Sequence, residues 1–385
     1  MGLVCDLVTM DWYPTILSFV IAAFAYLVDP QLAQHKIYLL STLLVTWWLV
    51  TGLSCLGLRV SNWLSSVGAL LGTLIPMLFM IVLAVLWIKS SRPLAIHFVS
   101  HAFLPNLTNF NNLAFLTTII FGLMGLEMSA VHAGDVRNPQ KDYPRALFWS
   151  TSLILITLIL SSLAISFIVP AKQLSILSGL TEAYVVFFNS FHLPFFIPII
   201  ISLIIIGSLC SISTWVIGPT RGLLIATFEN KISGLHCLLK VNRFGAPVCL
   251  LLFQGILVTL LSSLFILIPS VSEAYWLLSV MTAQLAVLFY IFLFLAALRL
   301  RYKEARQSRV YRIPGGKWGI WIVTGLGLLA CVMTFILGFF PPAVIVVDNL
   351  VKFDMILLGG LLMFCLPAVL SGVLLIGRSD SENNN

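Results

Sequence analysis

Glu127 is the residue whose type and position point most directly to chemistry, because it lies inside an apolar run, residues 112–131. That run is long enough to cross a bilayer as a helix. A carboxylate at such depth is unfavourable unless it faces a cavity or a polar partner, so it is typical of a substrate or ion pathway. Gly122 and Gly125 precede it by about one helical turn. Because glycine has no Cβ, the helix can unwind there and expose backbone amides and carbonyls to a ligand.

Each of these residues also has a purely structural interpretation. Glu127 could tie two helices together through hydrogen bonds, and the glycines could serve close helix packing. The sequence leaves both interpretations open. His132 and Asp135 could suggest a metal site or an acid/base pair. However, they lie where the apolar run gives way to a basic loop, so we interpret them as the end of a helix.

A second group of candidate residues lies at Ser211 and Trp215. They are four positions apart and therefore share one face of a helix. Gly207, Ser208 and Thr214 add small or polar surface nearby. Trp215 could lie in the aromatic belt at the membrane surface or could line a cavity, and the sequence does not decide between the two.

The elements that position these residues must be membrane helices. The chain is 60% hydrophobic and only 9% charged, with a mean hydropathy of +1.07, which excludes a water-soluble globular domain. We predict a polytopic, all-α membrane protein. We place ten spans at residues 12–28, 37–58, 64–88, 112–131, 146–169, 193–217, 247–268, 274–298, 318–340 and 353–376.

The distribution of charge is more informative than the net charge of +7. When the N-terminus is placed inside, most of the 21 Lys and Arg residues fall in cytoplasmic loops. This predicts that both termini are cytoplasmic and leaves no basic face for nucleic acid. The seven cysteines show no metal-ligand spacing, so we expect neither metal nor cofactor. Because no nucleophile, base and orienting residue converge, we also predict that the protein is not an enzyme.

Three blocks of the sequence form a pattern when they are taken in order. They run from Gly125-Leu-Glu127 through His132, Asn138-Pro139 and Asp142-Tyr143-Pro144, then from Trp215 to Gly222, and then from Ile313 to Lys317. Together they resemble the bacterial amino acid/polyamine/organocation (APC) permeases, and within these the chain is most similar to the glutamate/γ-aminobutyrate antiporter branch. The resemblance covers residues 12–376.

The resemblance implies the inverted-repeat, APC/LeuT-like transporter fold, in which the substrate lies between the broken first and sixth of twelve helices. Residues 1–111 then resemble family helices three to five, residues 112–301 the complete second repeat, and residues 302–376 the last two helices. Together they form one transmembrane domain, 1–376, followed by a short cytoplasmic tail, 377–385. The first two family helices have no counterpart here. We therefore expect an N-terminally truncated chain or assembly with a separate fragment that carries them.

The resemblance also implies a function: a permease or antiporter that moves a small amino acid or its amine product across the inner membrane by alternating access, although a truncated chain could be inactive. The expected partners are the amino acid substrate and membrane lipid. Ser211 stands where the antiporter branch has a pocket glutamate, so glutamate exchange is not expected. An alternative is a decayed membrane remnant or interaction partner that does not transport. The expected substrate-binding residues are Gly122, Met124, Gly125, Glu127, Ser211 and Trp215.

Overall fold

The computed structural model of the protein describes residues 2–55, 66–95, 110–127, 129, 136–170, 174–230, 240–303, 313–342, 345, 347 and 349–383. Within these ranges every regular element is a helix, so the predicted all-α class is confirmed. In chain order the helices are α1 (Gly2–Val28), α2 (Lys36–Ser54), α3 (Ile75–Lys89), α4 (Phe110–Leu113), α5 (Phe115–Gly122), α6 (Pro139–Ile168), α7 (Gly179–Ser190), α8 (Phe196–Asn230), α9 (Val248–Ser262), α10 (Leu264–Leu267), α11 (Val271–Lys303), α12 (Gly316–Leu337) and α13 (Leu350–Asn383).

Among the described residues, seven helical segments are long and apolar enough to cross a membrane. They fall on seven of the ten predicted spans. They are Lys36–Ser54, Ser66–Lys89, Pro139–Ile168, Phe196–Ser213, Val248–Leu267, Val271–Lys303 and Gly316–Leu337. The predicted first span lies on a shorter apolar helix, Trp12–Val28, and the predicted span 112–131 is divided among α4, α5 and a break. The count of ten therefore stays a prediction, as do the predicted repeat boundaries.

Residues 12–105 and 126–275 form one compact unit. Its core includes the fully buried side chains of Tyr184, Phe187 and Phe188 on α7, packed among residues of α3, α6 and α8. The Tyr184 hydroxyl donates a hydrogen bond of 2.5 Å to the Pro76 carbonyl oxygen. Because a polar group buried without a partner is unfavourable, this bond fixes where the short helix α7 rests on α3.

A π-helical segment, Ala69–Leu74, precedes α3 in this unit. The span is continuous, as the sequence predicts, but the wider turn was not predicted. The Ile75 amide donates to the carbonyl of Leu70, five residues back. Two features account for the segment: Pro76 has no N–H for an α-helical bond, and the backbones of Gly72 and Gly207 meet so closely that a Cβ on either would overlap the other.

Residues 1–11, 106–125 and 276–385 form the second compact unit. Here α5 packs on α12, and the Thr117 hydroxyl donates to the Thr334 carbonyl oxygen at 3.5 Å. The buried Gln284 of α11 donates from Nε2 to the Phe335 carbonyl oxygen at 2.9 Å. This bond caps a carbonyl near the end of α12. The backbone hydrogen bonds there change to the 3₁₀ pattern, in which Phe339 N–H donates to the Ile336 carbonyl oxygen three residues back. Side chains thus join three helices of this unit.

Candidate functional site

The helix is interrupted where the two glycines predicted it. α5 ends at Gly122, Leu123 forms a turn, and Met124 and Gly125 are not helical. Gly125 has φ = +108°, a conformation that side chains with a Cβ rarely adopt. A Cβ at Gly122 would meet nothing within 4 Å, so close packing does not account for that glycine. The segment therefore leaves the helical path at Gly125, the glycine whose conformation requires the absence of a Cβ.

The three amides of the break, those of Leu123, Met124 and Gly125, each have an acceptor. Leu123 N–H donates to the Ile120 carbonyl at 3.1 Å, and Met124 N–H donates to the Phe121 carbonyl at 3.0 Å. Gly125 N–H donates to the hydroxyl of Tyr290 on α11 at 3.1 Å. Tyr290 was not predicted from the sequence. The only signal for it was a phenolic hydroxyl in an otherwise apolar stretch of α11.

Beyond the break, Leu126 and Glu127 begin a 3₁₀ turn, and Glu127 is half-buried. The Ser129 hydroxyl donates to the Leu126 carbonyl at 2.6 Å and shares a 2.8 Å hydrogen bond with the Tyr143 hydroxyl. Tyr143 thereby ties the chain after the break to the start of α6, a role not predicted from the sequence. His132 and Asp135 lie outside the described residues.

Ser211 and Trp215, the second predicted group, both line a cavity of about 520 Å³. Ser211 and Trp215 of α8 form one wall, and Thr157 of α6 lies on another. The π-helical segment and the turns beside it contribute the rest, with Ser66 and Thr73 among the lining residues. The helical spacing of four that put Ser211 and Trp215 on one face thus aims both into the same space.

Trp215 is held in this wall by α1. Its carbonyl oxygen accepts a 2.8 Å hydrogen bond from the Tyr13 hydroxyl, and its ring lies 5.3 Å from that of Trp12, measured between centroids. Tyr13 in turn packs against the buried ring of Trp47 on α2, at 4.6 Å. Of the two positions left open by the sequence, Trp215 occupies the cavity wall. Because Tyr13 bonds its backbone, the position of the indole depends on α1 as well as on α8.

The six predicted site residues thus form two groups. Ser211 and Trp215 lie together at the cavity. Gly122, Met124 and Gly125 lie together at the helix break, and Glu127 lies two residues beyond it. Among the described residues, no three His, Cys, Asp or Glu side chains are grouped so that they could hold a metal ion. The first group could offer a ligand backbone groups, and the second a hydroxyl and an indole.

Among the described residues, seven helices are long and apolar enough to cross a membrane, and a further apolar span is interrupted at its glycines, which indicates a multi-pass membrane protein. The family model described as amino acid permease matches residues 7–365. The chain belongs to that family, which confirms the resemblance seen in the sequence.

Curated relatives agree with this assignment. The chain is 45% identical over 353 residues to an uncharacterized transporter of Legionella pneumophila, covering 92% of this chain and 75% of the relative. It is 27% identical over 363 residues to the glutamate/γ-aminobutyrate antiporter of Lactococcus lactis subsp. lactis, covering 93% of this chain and 71% of the relative. A probable agmatine/putrescine antiporter from the same bacterium is 22% identical over 302 residues, covering 77% of this chain and 63% of the relative.

Proposed function

We propose that this protein moves a small amino acid, or the amine formed by its decarboxylation, across the inner membrane by alternating access. The observation that carries the proposal is the interruption at Gly125, whose positive φ holds the backbone out of the helix. Transporters bind substrate and coupling ions at such discontinuous helices. Two relatives bear the names of antiporters, which supports exchange as the mode of transport. Both termini are placed in the cytoplasm on the basis of the loop charges.

In this mechanism the unwound segment supplies hydrogen-bonding groups for the charged ends of the substrate. The Tyr290 hydroxyl occupies the position in front of the Gly125 amide that an anionic group of a substrate would take. A backbone N–H that has no acceptor within its own helix is a good donor to an anion, because it can form a charge-assisted hydrogen bond. When the substrate binds, its anionic group therefore replaces the Tyr290 hydroxyl as the acceptor of the Gly125 amide.

The other predicted residues have supporting roles in this proposal. Trp215 closes one side of the cavity that it lines. Glu127 either stabilises the turn after the break or binds a proton during transport, since an intramembrane carboxylate is suited to both. No covalent step is involved, so the proposal includes no enzymatic activity. The substrate is a small molecule, and the lipid bilayer is the only other partner that the mechanism requires.

Exchange in proteoliposomes tests the proposal. Purified protein is reconstituted with unlabelled amino acids inside, and uptake of labelled amino acids is followed. We expect exchange by the wild-type protein and at least a tenfold loss in Gly125→Ala and Glu127→Ala, because the first strains the break and the second removes the carboxylate. Gly325→Ala in α12 is the matched control, since a Cβ there meets nothing within 4 Å.

The experiment distinguishes an error in the site assignment from an error in the transport function. Wild-type rates in both Gly125→Ala and Glu127→Ala would overturn the assignment of the site to the helix break while leaving transport in place. If the wild-type protein exchanges none of the acidic, neutral, cationic amino acids and amines tested, the transport proposal itself is wrong.

A further inference from the structure

Two aromatic side chains join the end of α11 to the beginning of α12. Trp321 Nε1 donates a 2.7 Å hydrogen bond to the Tyr302 hydroxyl. Further along α12, Gly327 lies so close to the ring of Phe294 that a Cβ would overlap it. The two contacts advance along α12 and go back along α11, so the helices are antiparallel. Both contacts lie within the second compact unit.

Basic side chains lie close to this hydrogen bond. Arg299 is three residues before Tyr302, and Lys317 is four residues before Trp321, so each shares a helix face with its aromatic neighbour. Both basic side chains are exposed. The last turn of α11 also contains Arg301 and Lys303. The two helix ends therefore bring basic groups within about one helical turn of the Trp321–Tyr302 bond.

Membrane topology alone does not account for this arrangement. Arg and Lys orient a membrane protein wherever in a short cytoplasmic loop they lie, and positive charge is favourable at the C-terminal end of α11. Lys317, however, lies in the first turn of α12, where the helix dipole disfavours positive charge. The next residue, Trp318, is 80% exposed, and Trp321 is 54% exposed. These side chains indicate a negatively charged partner that also contacts aromatic rings.

A phospholipid with a net negative charge has the chemistry that this surface fits. Lys and Arg reach headgroup phosphates from the ends of membrane helices, and Trp is favoured at the same depth. The face of α12 that carries Trp318 continues through Ile322 and Leu329, which are 58% and 57% exposed. An acyl chain would contact that apolar surface, whereas a soluble anion would gain nothing from it.

We propose that the adjoining ends of α11 and α12 bind an anionic phospholipid of the cytoplasmic leaflet. Its phosphate lies between Arg299 and Lys317, and its acyl chain follows α12 past Ile322. The Trp321–Tyr302 hydrogen bond is a positioning contact, because it holds the two helix ends together. The leaflet follows from the loop charges, which place this end of both helices in the cytoplasm. Lipid binding here is independent of which substrate the protein moves.

Native mass spectrometry of the full chain in detergent tests the proposal. The purified protein is titrated with anionic phosphatidylglycerol and with zwitterionic phosphatidylcholine, both with the same acyl chains. Since each nearby basic residue contributes about fivefold to affinity, we expect the apparent Kd for phosphatidylglycerol to be at least about tenfold lower. The phosphatidylglycerol titration is repeated with glycerol 3-phosphate as a soluble competitor, which should not displace the lipid.

Lys317→Gln removes one charge and has a matched control. Because Lys317 is exposed, the substitution should leave helix packing intact. It should raise the apparent Kd for phosphatidylglycerol about fivefold and leave that for phosphatidylcholine unchanged. Lys352→Gln is the control, since Lys352 is also an exposed lysine in the first turn of a helix, α13, at the end that the loop charges place outside. It should change neither value.

Trp321→Phe tests the positioning contact. It keeps an aromatic ring but removes the N–H that donates to Tyr302. The apparent Kd for phosphatidylglycerol should rise, by less than in Lys317→Gln, while that for phosphatidylcholine stays the same. A rise in both values, or in neither, would contradict the positioning role.

Three further results would overturn the proposal. Equal affinities for the two lipids would mean that charge does not select the lipid. Equal losses in Lys317→Gln and Lys352→Gln would mean that net charge, rather than this surface, attracts the anionic lipid. Displacement by glycerol 3-phosphate at the same concentration would mean that the surface takes a soluble anion. Because none of these measurements involves exchange, each of these failures leaves the transport proposal in place.

Discussion

The two irregular helical segments of this protein differ in what their glycines do. At the break after α5, Gly125 has φ = +108° and leaves the helical path. In the π-helical segment, the flanking residues Gly68 and Ile75 keep ordinary right-handed helical angles, and the chain continues into α3. Gly72 is needed there for space, because it meets the backbone of Gly207. One glycine therefore opens a helix and the other lets two helices approach.

The consequence for backbone hydrogen bonds also differs. At the break, the Gly125 amide requires an acceptor outside its own helix and finds it in Tyr290. In the π-helical segment, Ile75 N–H still bonds a carbonyl of its own helix. Only the first arrangement offers a backbone group that a ligand can compete for. A glycine in an apolar run therefore indicates a binding site only if its conformation, rather than its packing, requires glycine.

The largest effect in this comparison is expected from Gly72→Val. The added side chain overlaps backbone atoms of Gly207, which cannot move without displacing α8. We expect a loss of at least about 3 kcal/mol in the free energy of unfolding, or failure to accumulate as folded protein. Unfolding in mixed detergent micelles, followed by circular dichroism during titration with sodium dodecyl sulfate, measures it.

Gly52→Val is the matched control for this change. Gly52 also lies in a membrane helix, α2, but a Cβ there meets nothing within 4 Å. Its effect should stay within about 1 kcal/mol, the range of helix propensity. Equal effects of the two substitutions would contradict the packing role assigned to Gly72.

Substitutions at the two glycines of the break should have smaller effects on the free energy of unfolding, and the two effects should have opposite signs. Gly125→Ala forces a Cβ into a positive-φ conformation and should lower the free energy of unfolding by about 1–3 kcal/mol. Gly122→Ala adds a Cβ to the last residue of α5, in open space, and should raise it by up to about 1 kcal/mol. The same denaturant titration measures both. If both substitutions lower stability equally, conformation is not what distinguishes the two glycines.

The features predictable from the sequence were those that depend on local pattern. Length and hydropathy placed the seven membrane-capable helices, and Gly122 and Gly125 placed the break within a few residues. Spacing on one helix face placed Ser211 and Trp215 on one cavity wall. The family resemblance was confirmed as well.

The features that the sequence did not reveal depend on partners far along the chain. The acceptor for the Gly125 amide lies 165 residues away, at Tyr290. The π-helical segment depends on contact with Gly207, which belongs to another helix. Neither periodicity nor propensity carries information about which distant backbone group or side chain completes a hydrogen bond or limits the space for a Cβ. Such partners emerge only when the helices are packed.

Two buried glutamines extend the comparison from backbone to side chains. Gln284 caps the Phe335 carbonyl through Nε2, and only its Oε1 lacks a partner. In the fully buried Gln254, both amide atoms lack a hydrogen-bond partner among the described residues. Gln284→Met should therefore lower the free energy of unfolding by about 1 kcal/mol, since the uncapped carbonyl outweighs the removal of one unsatisfied oxygen. Gln254→Met should leave it unchanged or raise it, because it removes an unsatisfied polar group.

The denaturant titration used for the glycine variants measures this pair as well. A clear loss of stability in Gln254→Met would show that its amide is satisfied in the membrane, for example by an internal water molecule. That outcome would contradict the distinction drawn between the two glutamines.

The smallest effect is expected from removing one hydroxyl at the break. Tyr290→Phe deletes the acceptor of the Gly125 amide and keeps the ring, so it should lower the free energy of unfolding by about 0.5–1.5 kcal/mol. Tyr143→Phe is the matched change beyond the break. It deletes the hydroxyl that shares a 2.8 Å bond with the exposed Ser129. Because water replaces a lost partner at an exposed site, Tyr143→Phe should cost less than about 0.5 kcal/mol. Equal losses would mean that water reaches the Gly125 amide as readily as Ser129, and that Tyr290 does not control access to the unwound backbone.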